Sequence, residues 1–288
     1  MNVLINFKTH KAGITARLTR HVEFLRIAEE NNWTPYVNWI ANDGWQENGQ
    51  NLWPMLFKQN PKGKMQFDKI IDPDEFYRSI PNEDRIVRHN ATKLEMLKIP
   101  GVQGLYPRNK NLANELILKY INPKKSIMEK IDKACAKHIN PDKTLGVHCR
   151  GPGRLHGGVE EIHEYFGING TPYDLYFKKI DQQLQYHEKI FLATDADSVR
   201  STFKKRYGER VIWESHDLPT DGEAHSREHC KKVTPRAKKL FEMCLIDMYL
   251  LSKCDSFICG NSNVSLYTQC LNPNLITDCV YNYDMFKK

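Results

Sequence analysis

Residues 145–151 read Leu-Gly-Val-His-Cys-Arg-Gly. The run is apolar, too short for a helix, and followed by the turn signal Gly151-Pro152-Gly153. It predicts a buried strand with Arg150 carried off its carboxyl end. Open α/β sheets hold ligands at that end. An arginine suits the place because its planar fork can grip two phosphate oxygens at once. The opposing reading is a surface arginine on a Gly-Pro turn.

Downstream, strand and helix signals alternate. Thr171-Pro172 predicts a helix start, a capping hydroxyl followed by proline in the first turn. Tyr173, Phe177, Ile180 and Leu184 then share one face. Residues 190–193 predict a strand, 198–207 a helix closed by Gly208, and 210–213 another strand. Residues 214–233 are polar and rich in histidine, 236–252 have helical spacing, and 257–259 form a strand running into Gly260. Upstream, residues 2–7 read as a strand, 16–31 as a helix with Leu18, Val22, Leu25 and Ala28 inward, and 35–39 as a strand. This is a βαβ start, which implies a parallel sheet. Residues 40–108 predict loops, short helices and a strand or two. Residues 109–121 and 126–138 predict helices, and the stop signal Asn140-Pro141-Asp142 marks a domain boundary. The fold class is α/β, with two halves meeting at a crevice.

Composition narrows the class. The chain has 288 residues, 40% apolar and 27% charged, which fits a globular protein with a sizeable core. No apolar run approaches the roughly 18 residues that span a bilayer. The start shows no basic leader followed by a long apolar stretch, so a cytoplasmic location is expected. Net charge is +7, which suits an anionic ligand. Eight cysteines all lie after residue 134 and no pair has CxxC spacing, so buried reduced thiols are expected rather than a zinc ribbon.

Four further constellations can carry chemistry. In residues 260–265, a glycine and small polar residues link a strand to a helix start, where free N–H groups and the helix dipole favour a phosphate. Ser262 and Ser265 can add hydroxyl donors there, or the segment is an ordinary cap. Asp195 and Asp197 follow a strand as Asp-x-Asp. They can hold Mg²⁺ or Mn²⁺ against a diphosphate, or cap the helix that follows at once; the adjacency of that helix favours the cap. Asp247 is an acid in an apolar helix, which needs a partner or exposure. Its carboxylate could accept two N–H bonds from a guanine edge or sit in an ion pair. Finally, Arg154, His156, Glu160, Glu161 and His163 follow Arg150 in a loop where a general base could sit.

Three of these segments, LGVHCRG, FLATDADSV and LIDMYLLSKCDSFICGNSNVS, resemble in order the motifs of the α-1,6-fucosyltransferases. That family takes in the bacterial nodulation-factor enzyme, the animal core fucosyltransferase and, more loosely, the protein O-fucosyltransferases. The resemblance spans roughly residues 144–270. It implies a GT-B fold of two Rossmann-like domains facing across a cleft: residues 1–140 on the acceptor side and 141–288 holding the nucleotide sugar. It implies an inverting transfer from GDP-fucose to a glycan hydroxyl, with no metal and no other cofactor. By motif position Arg150 takes the phosphate-binding role, Asp247 the guanine-reading role, Ser262 and Asn263 the diphosphate, and His148 and Asp195 places near the nucleotide. Gly13 matches the glycine turn after the first strand. The family's second arginine is Gly151 here, which leaves Arg154 to substitute for it. Glu160 is the candidate base. The partners implied are a nucleotide sugar and an oligosaccharide acceptor, with no nucleic acid and no membrane span. Rival readings are another donor, UDP-xylose or GDP-rhamnose; a metal-dependent GT-A transferase on Asp195 and Asp197; a nucleic-acid binder; and a sugar-binding module without turnover.

Overall fold

The computed structural model describes residues 1–7, 14–39, 51–58, 66–87, 107–151, 164, 167–216, 218 and 236–281. Two parallel sheets organise them. In the first, β1 (Asn2–Asn6) lies between β2 (Thr34–Asn38) and β3 (Lys69–Ile71). Helix α1 (Ile14–Glu30) makes the crossover. It buries Leu18, Val22, Leu25 and Ala28 as their spacing predicts. The same helix buries His21, whose ring meets Trp53 edge-on at 4.9 Å. It also buries Glu23, whose carboxylate accepts the Val87 N–H at 2.7 Å.

Short helices α2 (Trp53–Leu56) and α3 (Pro73–Ser79) follow, then α4 (Lys110–Tyr120) and α5 (Lys125–His138). The second sheet is built from β4 (Thr144–His148), β5 (Lys189–Ala193), β6 (Val211–Ile212), β7 (Ser256–Cys259) and β8 (Ile276–Cys279). Its spatial order is β6-β5-β4-β7-β8, and every pairing is parallel. Counted within the sheet this is 3-2-1-4-5, so the order reverses between β4 and β7. Helices α6 (Tyr173–Gln183), α7 (Asp197–Tyr207), α8 (Arg236–Ser252) and α9 (Asn263–Leu271) connect the strands.

Sequence and structure differ at three places in this half. The strand expected at 210–213 is only Val211–Ile212, and β8 was not expected at all. β8 is an edge strand with Ile276 exposed and Thr277 and Asp278 half-buried, so it lacks an apolar pattern. Thr171 does not cap α6: Pro172 holds the cap position without a side-chain bond. The Thr171 hydroxyl donates instead to the Arg150 carbonyl at 3.3 Å.

The two sheets share packing. α9 lies against α1 and α4, and α8 against α5. Asn114 of α4 donates to the carbonyls of Cys270 and Leu271 at the end of α9, at 2.9 and 3.0 Å. Phe241 of α8 meets Trp39 edge-on, 6.3 Å between ring centres. Cys149, Cys254, Cys259, Cys270 and Cys279 are buried free thiols. Among the described residues no helix is long and apolar enough to cross a membrane.

Candidate functional site

The carboxyl end of β4 enters a turn whose backbone is held by several bonds. The Cys149 N–H donates to the Ala193 carbonyl at 3.1 Å. The His148 carbonyl accepts the Tyr176 hydroxyl at 3.1 Å, and the Arg150 carbonyl accepts Thr171. The Gly151 N–H donates to Asp195 Oδ1 at 2.7 Å. Arg150 leaves this turn with its Nε 3.7 Å from Asp195 Oδ2 and its side chain about one-third exposed. The bonded backbone and the Asp195 carboxylate hold the guanidinium at the strand end, partly open to solvent.

Asp195 therefore corrects the expectation of a local cap. Its carboxylate reaches back to the β4 turn, 44 residues away in sequence. Asp197 opens α7 as an exposed first-turn residue, and the cap residue Ala196 has no side-chain bond to offer. Among the described residues no three His, Cys, Asp or Glu side chains gather in a way that could hold a metal ion.

Across the switch point, β7 passes through Gly260 into α9. Ser262 caps that helix, its hydroxyl accepting the Ser265 N–H at 3.0 Å. His148 Nδ1 lies 3.2 Å from the Ser262 hydroxyl and 3.1 Å from that of Ser265, and the two hydroxyls are 3.0 Å apart. Burial lowers the His148 pKa from 6.5 to about 4, Asp195 opposing the shift and Arg150 adding to it. The imidazole is neutral at pH 7 and ties the end of β4 to the start of α9. Both serine hydroxyls are thus turned inward. What the helix start offers a ligand is its dipole and the Asn263 and Val264 N–H groups, which helix geometry leaves without an intrahelical acceptor.

Gly260 is required by a close approach. A Cβ there would lie 2.6 Å from the Tyr176 hydroxyl oxygen. Tyr176, 3% exposed, so joins both halves of the switch point.

Asp247 sits on the inner part of α8. Its Oδ1 meets His216 Nε2 at 3.1 Å, with both side chains largely buried. The helix packs against β4 and β5. The strap that carries His216 is clamped by buried Arg200, which donates to the carbonyls of His216 at 2.8 Å and Glu214 at 3.1 Å. His138 adds a 2.8 Å contact to the Glu214 carboxylate.

The structure thus gathers His148, Arg150, Asp195, Ser262 and Asn263 at the ends of β4, β5 and β7, with Asp247 alongside. Gly13, Arg154 and Glu160, and with them His156, Glu161 and His163, lie outside the described residues. Sequence reasoning missed Tyr176, Arg200 and His216. The histidine-rich character of residues 214–233 was the one signal for His216; Tyr176 and Arg200 gave none.

A family model described as Nodulation protein Z (NodZ) matches residues 105–288. No curated protein sequence matches significantly. Solved structures do. NodZ alpha-1,6-fucosyltransferase soaked with GDP-fucose superposes with a TM-score of 0.55 at 17% identity, covering 94% of this chain and 92% of that one. The fucosyltransferase NodZ from Bradyrhizobium gives 0.54 at 18%, covering 94% and 93%. POFUT1 in complex with GDP-fucose gives 0.52 at 10%, covering 96% and 97%. The fold is that of these proteins, an α/β architecture of GT-B type.

Proposed function

Because the chain belongs to the NodZ family, we propose that it is an inverting glycosyltransferase that moves fucose from GDP-fucose to a hydroxyl of an oligosaccharide without a metal. Residues 141–288 form the donor-binding domain in this reading, and residues 1–140 the acceptor side. The observation that carries it is the bonded β4 turn, which sets Arg150 at the carboxyl end of the sheet beside Asp195, on the strand next to the order reversal between β4 and β7.

In the reaction the bond from the anomeric carbon to the β-phosphate oxygen breaks, and its electron pair goes to the diphosphate. The sugar gains oxocarbenium character, as in glycoside hydrolysis. Arg150 and the Asn263 and Val264 N–H groups stabilise the charge that grows on the leaving group. Asp195 holds the guanidinium and the turn. Arg154 supplies the second cation where the chain has Gly151, and Gly13 takes part in binding the nucleotide sugar. The acceptor oxygen attacks from the opposite face, which inverts the centre. Its proton passes to Glu160. Asp247 accepts the N–H edge of guanine, and His148 lies beside the nucleotide.

Removing one preorganised donor of this kind costs about 3 kcal/mol, roughly a hundredfold in rate. Arg150→Ala should lose at least that much transfer from GDP-fucose while its unfolding transition stays put. Near-normal turnover by the folded variant would overturn the assignment. EDTA should leave wild-type turnover unchanged; activity that vanishes with EDTA and returns with Mn²⁺ would move the chemistry to Asp195 and Asp197. Turnover of UDP-xylose or GDP-rhamnose in preference to GDP-fucose would change the donor and keep the fold.

A further inference from the structure

His216, the partner of Asp247, has no role in the reaction as described. The pair is nonetheless built with care. The two side chains are 7% and 14% exposed, and the imidazole Nε2 stands 3.1 Å from Oδ1. The backbone that presents His216 is held from a different element, by both terminal nitrogens of Arg200. That guanidinium also stacks over Trp213 at 5.4 Å. A surface contact formed by chance would not have its backbone clamped by one helix and its side chain by another.

We propose that His216 is a positioning residue for nucleobase selection. The argument rests on the reading above, in which Asp247 accepts a guanine edge. A free carboxylate on a helix turns about its side-chain torsions, and a purine that bound it would have to freeze that motion. The N–H of His216 Nε2 holds Oδ1 in one place. Oδ2, and the second lone pair of Oδ1, are then left at a fixed spacing to take the donors of the base. Guanine matches two such acceptors with its N1–H and its exocyclic amino group. Hypoxanthine offers only N1–H. Uracil offers one N–H between two carbonyls, which a fixed carboxylate repels. The histidine thereby converts an acidic side chain into a gauge for paired donors, acting through Asp247 rather than on the base itself.

The test is the binding of GDP, IDP and UDP to the whole chain by titration calorimetry, with donor KM and kcat measured on GDP-fucose. Wild type should prefer GDP over IDP by at least about tenfold, the scale of one hydrogen bond to a charged group. His216→Leu should reduce that ratio to about threefold or less and raise the donor KM more than it lowers kcat. His216→Gln, whose amide can reach the place of Nε2, should restore most of the ratio. Should His216→Leu fail to fold, His216→Asn carries the same test, being too short to reach Oδ1.

An unchanged GDP/IDP ratio in a folded His216→Leu would overturn the proposal. Tighter GDP binding by that variant would overturn it too, since the histidine would then be a plug that the base must displace. Wild type that binds UDP as well as GDP would instead sink the guanine reading of Asp247, and this inference with it.

Discussion

Gly260→Ala tests whether the switch point is as tightly closed as its geometry requires. The added methyl would meet the Tyr176 hydroxyl oxygen at 2.6 Å, Tyr281 Cε2 at 3.4 Å and Tyr176 Cζ at 3.8 Å. Tyr176 has little room to yield. It is 3% exposed, its ring packs edge-on to Phe203 at 6.4 Å, and its hydroxyl is bonded to the His148 carbonyl. Overpacking of this kind costs about 1–3 kcal/mol, and displacing the hydroxyl adds about 1 kcal/mol for the lost bond. Tyr176→Phe removes the oxygen in conflict and by itself costs about 1 kcal/mol. In the Tyr176→Phe background the added methyl's nearest neighbour is the Tyr281 ring at 3.4 Å, an ordinary contact. Gly260→Ala should there cost under about 1 kcal/mol. The double variant should therefore be more stable than the sum of the two singles by at least about 1 kcal/mol, a coupling read from a urea double-mutant cycle. Additive effects, or a neutral Gly260→Ala, would refute the reasoning.

Two further expectations concern charge. Burial lowers His148 to about 4 and His21 to about 3, against 6.5 in the unfolded chain. The unfolded state then binds more protons in the window below pH 6.5, so stability is full above it and is lost as pH falls toward 4. Each residue contributes a slope of up to about 1.4 kcal/mol per pH unit. Denaturant midpoints from pH 7 to 5 should show the loss, and His21→Leu should flatten part of it; an identical slope in that variant would contradict the burial argument. At Asp195, the carboxylate does two things, accepting Gly151 N–H and balancing Arg150. Asp195→Asn keeps the first, so kcat/KM should fall about tenfold, against roughly a hundredfold for Asp195→Ala. Equal losses would mean the turn does not depend on that bond.

The strands of the second sheet could be read because a doubly covered parallel sheet buries both faces. Residues 190–193 are apolar throughout and become β5 with Ile190, Phe191, Leu192 and Ala193 all buried. β8 could not be read, since an edge strand tolerates an exposed Ile276 and a half-buried Asp278. In the site, Arg150 was visible as a cation at a strand end because that inference is local. Its supports were not. Thr171 and Asp195 look like helix caps to any rule that considers only neighbouring residues. Their actual partners are 21 and 44 positions away, and the choice between them is made by the sheet. His216 falls in the same class: its partner Asp247 is 31 residues on, in a separate helix.

The distribution of cysteines gives the molecule a built-in clock. Cys149, Cys254, Cys259, Cys270 and Cys279 are buried; burial raises the pKa of Cys149, Cys254 and Cys270, and the facing Cys279 thiol followed by burial raises that of Cys259. A thiol in that state is inert to alkylating reagents until the chain around it opens. No cysteine precedes residue 135, so the rate of modification of these thiols counts openings around the second sheet and its helices, with Cys270 also sensing whether α1 and α4 stay docked on α9. Cys279 and Cys259 stand opposite one another on β8 and β7, one at the sheet's rim and one beside its centre. The interval between their modification times measures how much more often the rim peels away than the middle comes apart.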